Sequence, residues 1–448
     1  MPTIPPADTT NNIDTLLFAD WIITVDADNS TLQNHAIAIN KGRIVEILPA
    51  SEARAKYNAE THHQLSGQAL IPGLINAHTH AAMTLFRGLA DDLHLMEWLE
   101  NHIWPAEGKW VSDEFVHDGS LHAAAEMIRG GTTCFNDMYF FPDVTARVVD
   151  SVGMRATVGL ILIDFPTVWA NDADEYIRKG LEVHDHYRGN TRVTTAFAPH
   201  APYTVSDDPL QHAATLAEEL DIPIHMHIHE TAFEVEQAIE QTTQRPLQRL
   251  NEKGIVTPRL LAVHMTQLNN EEIQLMAENN ASVVHCPESN LKLASGFCPV
   301  QRLWSAGVNV ALGTDGAASN NDLDMLGEMR TAALLAKAVA QDASALPAHD
   351  ALRMATINGA KALGMEDTIG SLEAGKSADI VAIDINNIET QPIYHIISQL
   401  VYSTTRNQVN NVWVAGKQLL KDKVLTTIDH GSVIAKTVEW QEKIKQYD

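Results

Sequence analysis

Eight short apolar runs, at 68–76, 132–136, 155–163, 192–198, 222–229, 259–265, 281–286 and 308–314, are separated by stretches whose apolar residues recur with helical spacing, among them 113–129, 208–220, 231–252, 270–279 and 322–340. Strands that alternate with helices form a parallel sheet, because each crossover helix brings the chain back to the same end of the sheet. Eight such units close into a (β/α)8 TIM-type barrel, an α/β architecture that takes ~250 residues. The chain has 448 residues, which leaves room for a smaller module, and both ends supply one. Segments 21–26, 35–39 and 43–47 alternate apolar and polar residues around Asn40-Lys41-Gly42, as hairpins do. After the barrel, 370–383 and 411–417 return to that pattern. The expected organisation is a β-sandwich formed by the N- and C-terminal segments, with boundaries at 1–67, 68–365 and 366–448, a loose lead-in over 1–15 and a final amphipathic helix over 432–446.

Charge and cysteine content narrow the function classes. The chain carries 31 Lys and Arg against 57 Asp and Glu, a net charge of −26. That sum disfavours sequence-independent binding of nucleic acid or an anionic membrane, both of which need a basic surface. It does not bear on a small substrate, which meets a local site. Cys134, Cys286 and Cys298 are an odd number without CxxC spacing, so neither a disulfide framework nor a thiolate zinc site is expected, and a reducing cytoplasm is the expected location. The first residues lack a basic patch followed by an apolar core. No apolar stretch reaches the ~18 residues of a membrane span.

Functional groups of such barrels stand at the C-terminal ends of the strands. The first run ends in Ile71-Pro72-Gly73-Leu74-Ile75-Asn76-Ala77-His78-Thr79-His80, where His78 and His80, two residues apart, share one face. Run four ends at His200, and run five carries His225, His227 and His229 followed by Glu230. Runs six and seven end at His264 and His285, and run eight in Gly313-Thr314-Asp315-Gly316. A chance scatter of 21 histidines would not gather so many at strand tips, so a metal site is expected, with His78, His80, His227 and Asp315 as ligands. Zinc suits this donor set, as would iron, manganese or nickel. No lysine ends run four to form a carbamate bridge, which favours one ion over two.

His225 reads as a satisfied histidine deeper in the barrel. His229 reads either as a residue that orients a ligand from behind or as a structural one. A divalent cation lowers the pKa of a water toward neutrality, and Asp315 and His264 could take the proton. Glu230 could protonate a ring nitrogen, although it could also be the first-turn acid of the next helix, favoured by the helix dipole. Water at carbon and acid at nitrogen is what hydrolytic removal of ammonia from an amidine-like heterocycle requires.

The chain resembles the amidohydrolase superfamily, in its branch of aminohydrolases acting on nucleosides and bases. Beyond Gly73 to His80, the resemblance rests on Phe86-Arg87-Gly88-Leu89-Ala90-Asp91-Asp92, His227-Ile228-His229-Glu230-Thr231, Ser289-Asn290-Leu291-Lys292-Leu293-Ala294-Ser295-Gly296 and Gly313-Thr314-Asp315-Gly316, and it covers nearly the whole chain. It implies water attack at C6 of an adenine nucleoside and release of ammonia. S-adenosylhomocysteine would become S-inosylhomocysteine, 5-methylthioadenosine would become 5-methylthioinosine, and adenosine is a third candidate. It also implies that Glu107 binds the ribose hydroxyls, a role a carboxylate can fill by accepting from two neighbouring hydroxyls, and that His200 and Glu230 contact the nucleoside. Some relatives use an arginine after the second strand for substrate; Arg147 is the nearest one here, but its setting is an ordinary helix and it is left out. Met83, Phe86, Trp98 and Trp104 are candidates for the pocket wall. Two other readings compete: a guanine, oxidised-purine or triazine hydrolase on the same metal site, and a metal-binding scaffold without catalysis. The expected partner is a small purine nucleoside, with a homo-oligomer suggested by the barrel's apolar flank.

Overall fold

The structure is a computed structural model that describes residues 11–445. Eight parallel strands, Leu74–Thr79, Thr132–Asp137, Arg155–Leu162, Val193–Pro199, Ile224–Ile228, Leu260–His264, Ser282–His285 and Asn309–Leu312, lie side by side in chain order. Nearly every residue in them is buried, as expected of strands covered on both faces. The (β/α)8 barrel is therefore present, and its strand tips carry the histidines.

The barrel closes by an unusual join. Between the last strand and the first, the backbone N–H of Asp315 donates to the carbonyl of His78 (3.1 Å). The Asn76 amide brackets Thr314, with Nδ2 donating to Oγ1 (2.7 Å) and Oδ1 accepting from the backbone N–H (3.0 Å). Gly313 allows this approach, since a Cβ there would lie 2.8 Å from the His78 Cβ and 2.9 Å from its backbone nitrogen and oxygen.

Two expected elements are divided. The run over 68–76 is two strands: Gln68–Pro72 ends the long strand Tyr57–Pro72, which pairs with Ile380–Asp384, and the barrel starts at Leu74. Gly73 makes the crossing, where a Cβ would sit 2.0 Å from Thr133 Oγ1. The helix expected over 231–252 is Ala232–Thr242 and Pro246–Glu252, parted at Thr243 in the left-handed region (φ 64°) and restarted by Pro246 in its first turn. The chain is in a strand from Asn11, which shortens the expected lead-in; residues 1–10, and residue 446 of the expected last helix, lie outside the described residues.

Both ends of the chain join in one mixed sheet of eight strands, in the order 424–425, 417–421, 409–414, 380–384, 57–72, 11–23, 31–40, 43–49. A buried ion pair fastens this sheet to the N-terminal end of the barrel: Arg155 Nε and Nη2 donate to the two Asp379 oxygens (3.0 and 3.2 Å). The helix His430–Lys445 packs Trp440 edge-on against Phe115 with ring centroids 5.2 Å apart, and the indole N–H donates to Asp118 (3.0 Å).

After the first barrel strand the chain makes an excursion through the turns Ala81–Phe86, Leu95–Trp98, Leu99–Ile103 and Trp104–Trp110 before the helix Asp113–Arg129. Trp98 Nε1 donates to the Ala90 carbonyl (3.1 Å). Lys292 binds Asp91 (2.5 Å) and Asn321 (2.6 Å), which ties the excursion to the loops after strands seven and eight.

Candidate metal centre and substrate cavity

His78 and His80 emerge from the first strand, His227 from the fifth and Asp315 just after the eighth, and one ligand atom from each lies within 4.8 Å of all the others. Nε2 of His78 and Nε2 of His80 each lie 3.2 Å from Asp315 Oδ1, and His227 Nε2 is 3.2 Å from His78 Nε2. The far nitrogen of each ring is occupied. His80 Nδ1 meets the Met138 carbonyl (2.5 Å), His227 Nδ1 the His200 carbonyl (2.8 Å) and His78 Nδ1 the Nε2 of His225 (2.8 Å). A carbonyl only accepts, so Nδ1 of His80 and of His227 must carry a proton, which turns the Nε2 atom of each ring toward the shared centre. This donor set fits one zinc-like cation.

Electrostatics agree with a site built for positive charge. Burial holds His78 down at about 4 and His227 well below the usual imidazole value. Burial also opposes charge on His80, but the neighbouring Asp315 carboxylate raises it to about 9. Oδ2 of Asp315 accepts from Ser289 (2.6 Å) and Ser319 (2.8 Å), which leaves Oδ1 aimed at the histidines.

The two remaining groups with expected chemical roles stand beside this centre. His264 Nδ1 meets Asn290 Oδ1 (2.9 Å), so Nδ1 donates and Nε2 faces Glu230 Oε2 at 3.7 Å. Burial pushes the Glu230 carboxyl above its ordinary value against the pull of His264. The tip residues His229, His264 and Asp315 are left-handed (φ 54°, 75° and 61°), a conformation that costs energy away from glycine and that here turns the chain sharply at three strand ends. Glu234 holds one such turn by accepting from the backbone N–H groups of His229 (3.0 Å) and Glu230 (2.8 Å).

The other candidates divide. His225 lies deeper, as expected, and contacts His78. His229 points away from the centre, its Nε2 accepting from the Leu247 backbone N–H (3.2 Å). His285 is buried with no grouping at the centre. Arg147 pairs with Asp143 and Asp113 on an outer helix.

One cavity opens onto the centre, and His80, His200, His227, Glu230, His264 and Asp315 all line it, with Glu107 on the excursion. Burial pushes Glu107 up to about 7, opposed by the Tyr139 hydroxyl and by His80. Met83, Trp98 and Trp104 also line it. Phe86 does not: it is fully buried behind the wall, its ring centroid 4.7 Å from that of Phe115. The reason is that Phe86 ends a 3₁₀ turn and faces the helix Asp113–Arg129. Sequence reasoning missed Ser319 and the supporting roles of Ser289 and Asn290. The last two stand in the Ser289–Gly296 motif, whereas no local pattern marks Ser319.

Residues 69–419 match the amidohydrolase family model. A 5-methylthioadenosine/S-adenosylhomocysteine deaminase of Teredinibacter turnerae is 51% identical over 97% of this chain and 98% of its own. The crystal structure of an adenosine deaminase from Xanthomonas campestris with bound zinc is 52% identical, covers 98% of this chain and 100% of that one, and superposes with a TM-score of 0.96. Atrazine chlorohydrolase from Arthrobacter aurescens, complexed with zinc, shares the fold at a TM-score of 0.89 and 22% identity over 95% of this chain and 99% of its own.

Proposed function

The chain belongs to the amidohydrolase family, and on that basis we propose that it is a metal-dependent aminohydrolase of adenine nucleosides, converting S-adenosylhomocysteine, 5-methylthioadenosine or adenosine to the inosyl product with release of ammonia. The observation that carries this reading is the placement of Glu230 and His264 beside the His78, His80, His227 and Asp315 cluster, at the wall of one cavity. In this reading those four residues hold one zinc ion. The ion, when bound, supplies Lewis acidity that brings a water's pKa toward neutrality.

The chain's own groups do the rest. Glu230, whose carboxyl burial raises above its ordinary value, gives its proton to N1 of the purine as water oxygen bonds to C6. His264 and Asp315 accept the water's proton. Return of that proton from His264 or Asp315 to the exocyclic nitrogen lets the C6–N bond break and ammonia leave, while the remaining C6 hydroxyl proton passes to Glu230 as the C6=O bond forms, which restores the acid. Glu107 accepts from the ribose hydroxyls, and His200, whose Nδ1 is engaged with Thr204 Oγ1 (3.0 Å), meets the nucleoside with its other edge. His225 keeps the His78 ring in its ligating tautomer. The cytoplasm is the proposed location, supported by three buried cysteines, all free; no helix among the described residues is long and apolar enough to cross a membrane.

The test is a panel of adenine and guanine nucleosides and bases with zinc-loaded protein, read as ammonia release and loss of the adenine absorbance band. Turnover of adenine nucleosides supports the reading. Turnover of guanine or a triazine alone would replace it, and no turnover of any would leave the scaffold.

A further inference from the structure

The cavity wall carries three carboxylates, Glu107, Glu230 and Asp315, and among the described residues no lysine or arginine lines it. Its outer part is apolar. Phe165 and Val168, in the loop after the third barrel strand, are 45% and 42% exposed, and Tyr203, after the fourth, is 38% exposed. Large apolar side chains facing an opening are a sign of a surface that a ligand covers. The loop is built to present them. Thr167 N–H donates to the Ala170 carbonyl (2.9 Å), Thr167 Oγ1 meets the Tyr176 hydroxyl (2.5 Å), and Asp164 is bound to the following loop through Ser206 N–H (2.7 Å) and the Thr204 carbonyl (3.1 Å).

Resting on the deaminase reading above, we infer that this cavity selects adenine nucleosides whose 5′ substituent is an uncharged alkyl thioether over those whose 5′ arm ends in an amino acid. The purine and ribose are committed to Glu230, His200 and Glu107, so the 5′ arm runs along the remaining wall. A methylthio group gains from leaving water against Phe165 and Val168. The zwitterionic end of an amino acid in the same place would lose hydration at both of its charges, and its α-carboxylate would gain no lysine or arginine partner on this wall. Leu95, Trp98 and Ile103 continue the apolar surface on the excursion. Phe165 and Val168 thus act as specificity determinants for the 5′ arm.

The experiment compares kcat/KM for 5-methylthioadenosine, a 5′-propylthio analogue, adenosine and S-adenosylhomocysteine with the zinc-loaded enzyme. The expected order places both alkylthio nucleosides at least tenfold above S-adenosylhomocysteine. In Val168→Arg, which puts a cation at an exposed position, the ratio of S-adenosylhomocysteine to 5-methylthioadenosine should rise at least tenfold, and Phe165→Arg gives a second trial should the first fold poorly. S-adenosylhomocysteine used as well as or better than 5-methylthioadenosine overturns the inference, as does a ratio unmoved in both variants. Deamination of adenosine with no alkylthio preference sinks this inference alone, whereas no deamination of any adenine nucleoside sinks the underlying reading and this inference with it.

Discussion

Glu230 Oε2 faces His264 Nε2 across 3.7 Å, and each is aimed by a group behind it, Asn290 for the imidazole and the Glu234-braced turn for the carboxylate. An acid and a base held apart at this distance can serve opposite ends of one C=N bond.

Replacing the acid tests its role. Glu230→Gln is expected to lower kcat by roughly 10²–10⁴-fold, the usual worth of a positioned proton donor, with zinc content unchanged by metal analysis. Because burial raises this carboxyl, its protonated form persists at higher pH than an ordinary glutamate's. The wild-type rate should therefore fall as pH rises through that value, and the residual rate of the variant should lack this limb. A variant within a few-fold of wild type would remove Glu230 from the chemistry.

Glu107 should act on binding. With its carboxyl pushed up to about 7, the ionised form that accepts from two hydroxyls is lost as pH falls through that range, so KM for nucleosides should rise below about pH 7 while kcat stays level. Glu107→Gln should raise KM by about tenfold or more, as loss of a hydrogen bond to a charged group does, and flatten its pH dependence. Equal KM for the variant and wild type would mean that no ribose is held there.

His225 touches His78 but does not line the cavity. His225→Ala should weaken zinc binding by ~10–100-fold, the usual effect of losing a residue that orients a ligand, measured by competition with a chromophoric chelator. Excess zinc should then restore turnover. His78→Ala should not be rescued in this way, and equal zinc affinity in His225→Ala and wild type would dismiss the bracing role.

The Arg155–Asp379 pair lies at the opposite end of the barrel from the site. Asp379→Asn leaves a buried guanidinium without its counter-charge and should cost about 3–5 kcal/mol in denaturant unfolding. The rate per folded molecule should be unaffected. A loss under 1 kcal/mol would mean that water reaches the pair.

Much of the site was legible because strand periodicity is local: His78 and His80 must share a face, and apolar runs that end in histidine mark a barrel mouth. What stayed hidden depends on tertiary approach. Ser319 meets Asp315 only because a turn follows the last strand, and Phe86 faces a helix rather than the cavity because of a 3₁₀ turn that no side-chain pattern announces. The division at Gly73 was obscured because two unrelated sheets share one uninterrupted apolar run, and the steric limit that parts them is set by Thr133, sixty residues away.

The join between the first and last strands rests on few backbone contacts, and His78 and Asp315 stand on its two sides. A cation gripped by both would work as a rivet through the weakest rib of the cylinder, so that loading the centre also locks the shape of the vessel around it. Catalytic competence and mechanical closure would then be bestowed by the same event, and a protein stripped of its ion would be expected to breathe first along that line.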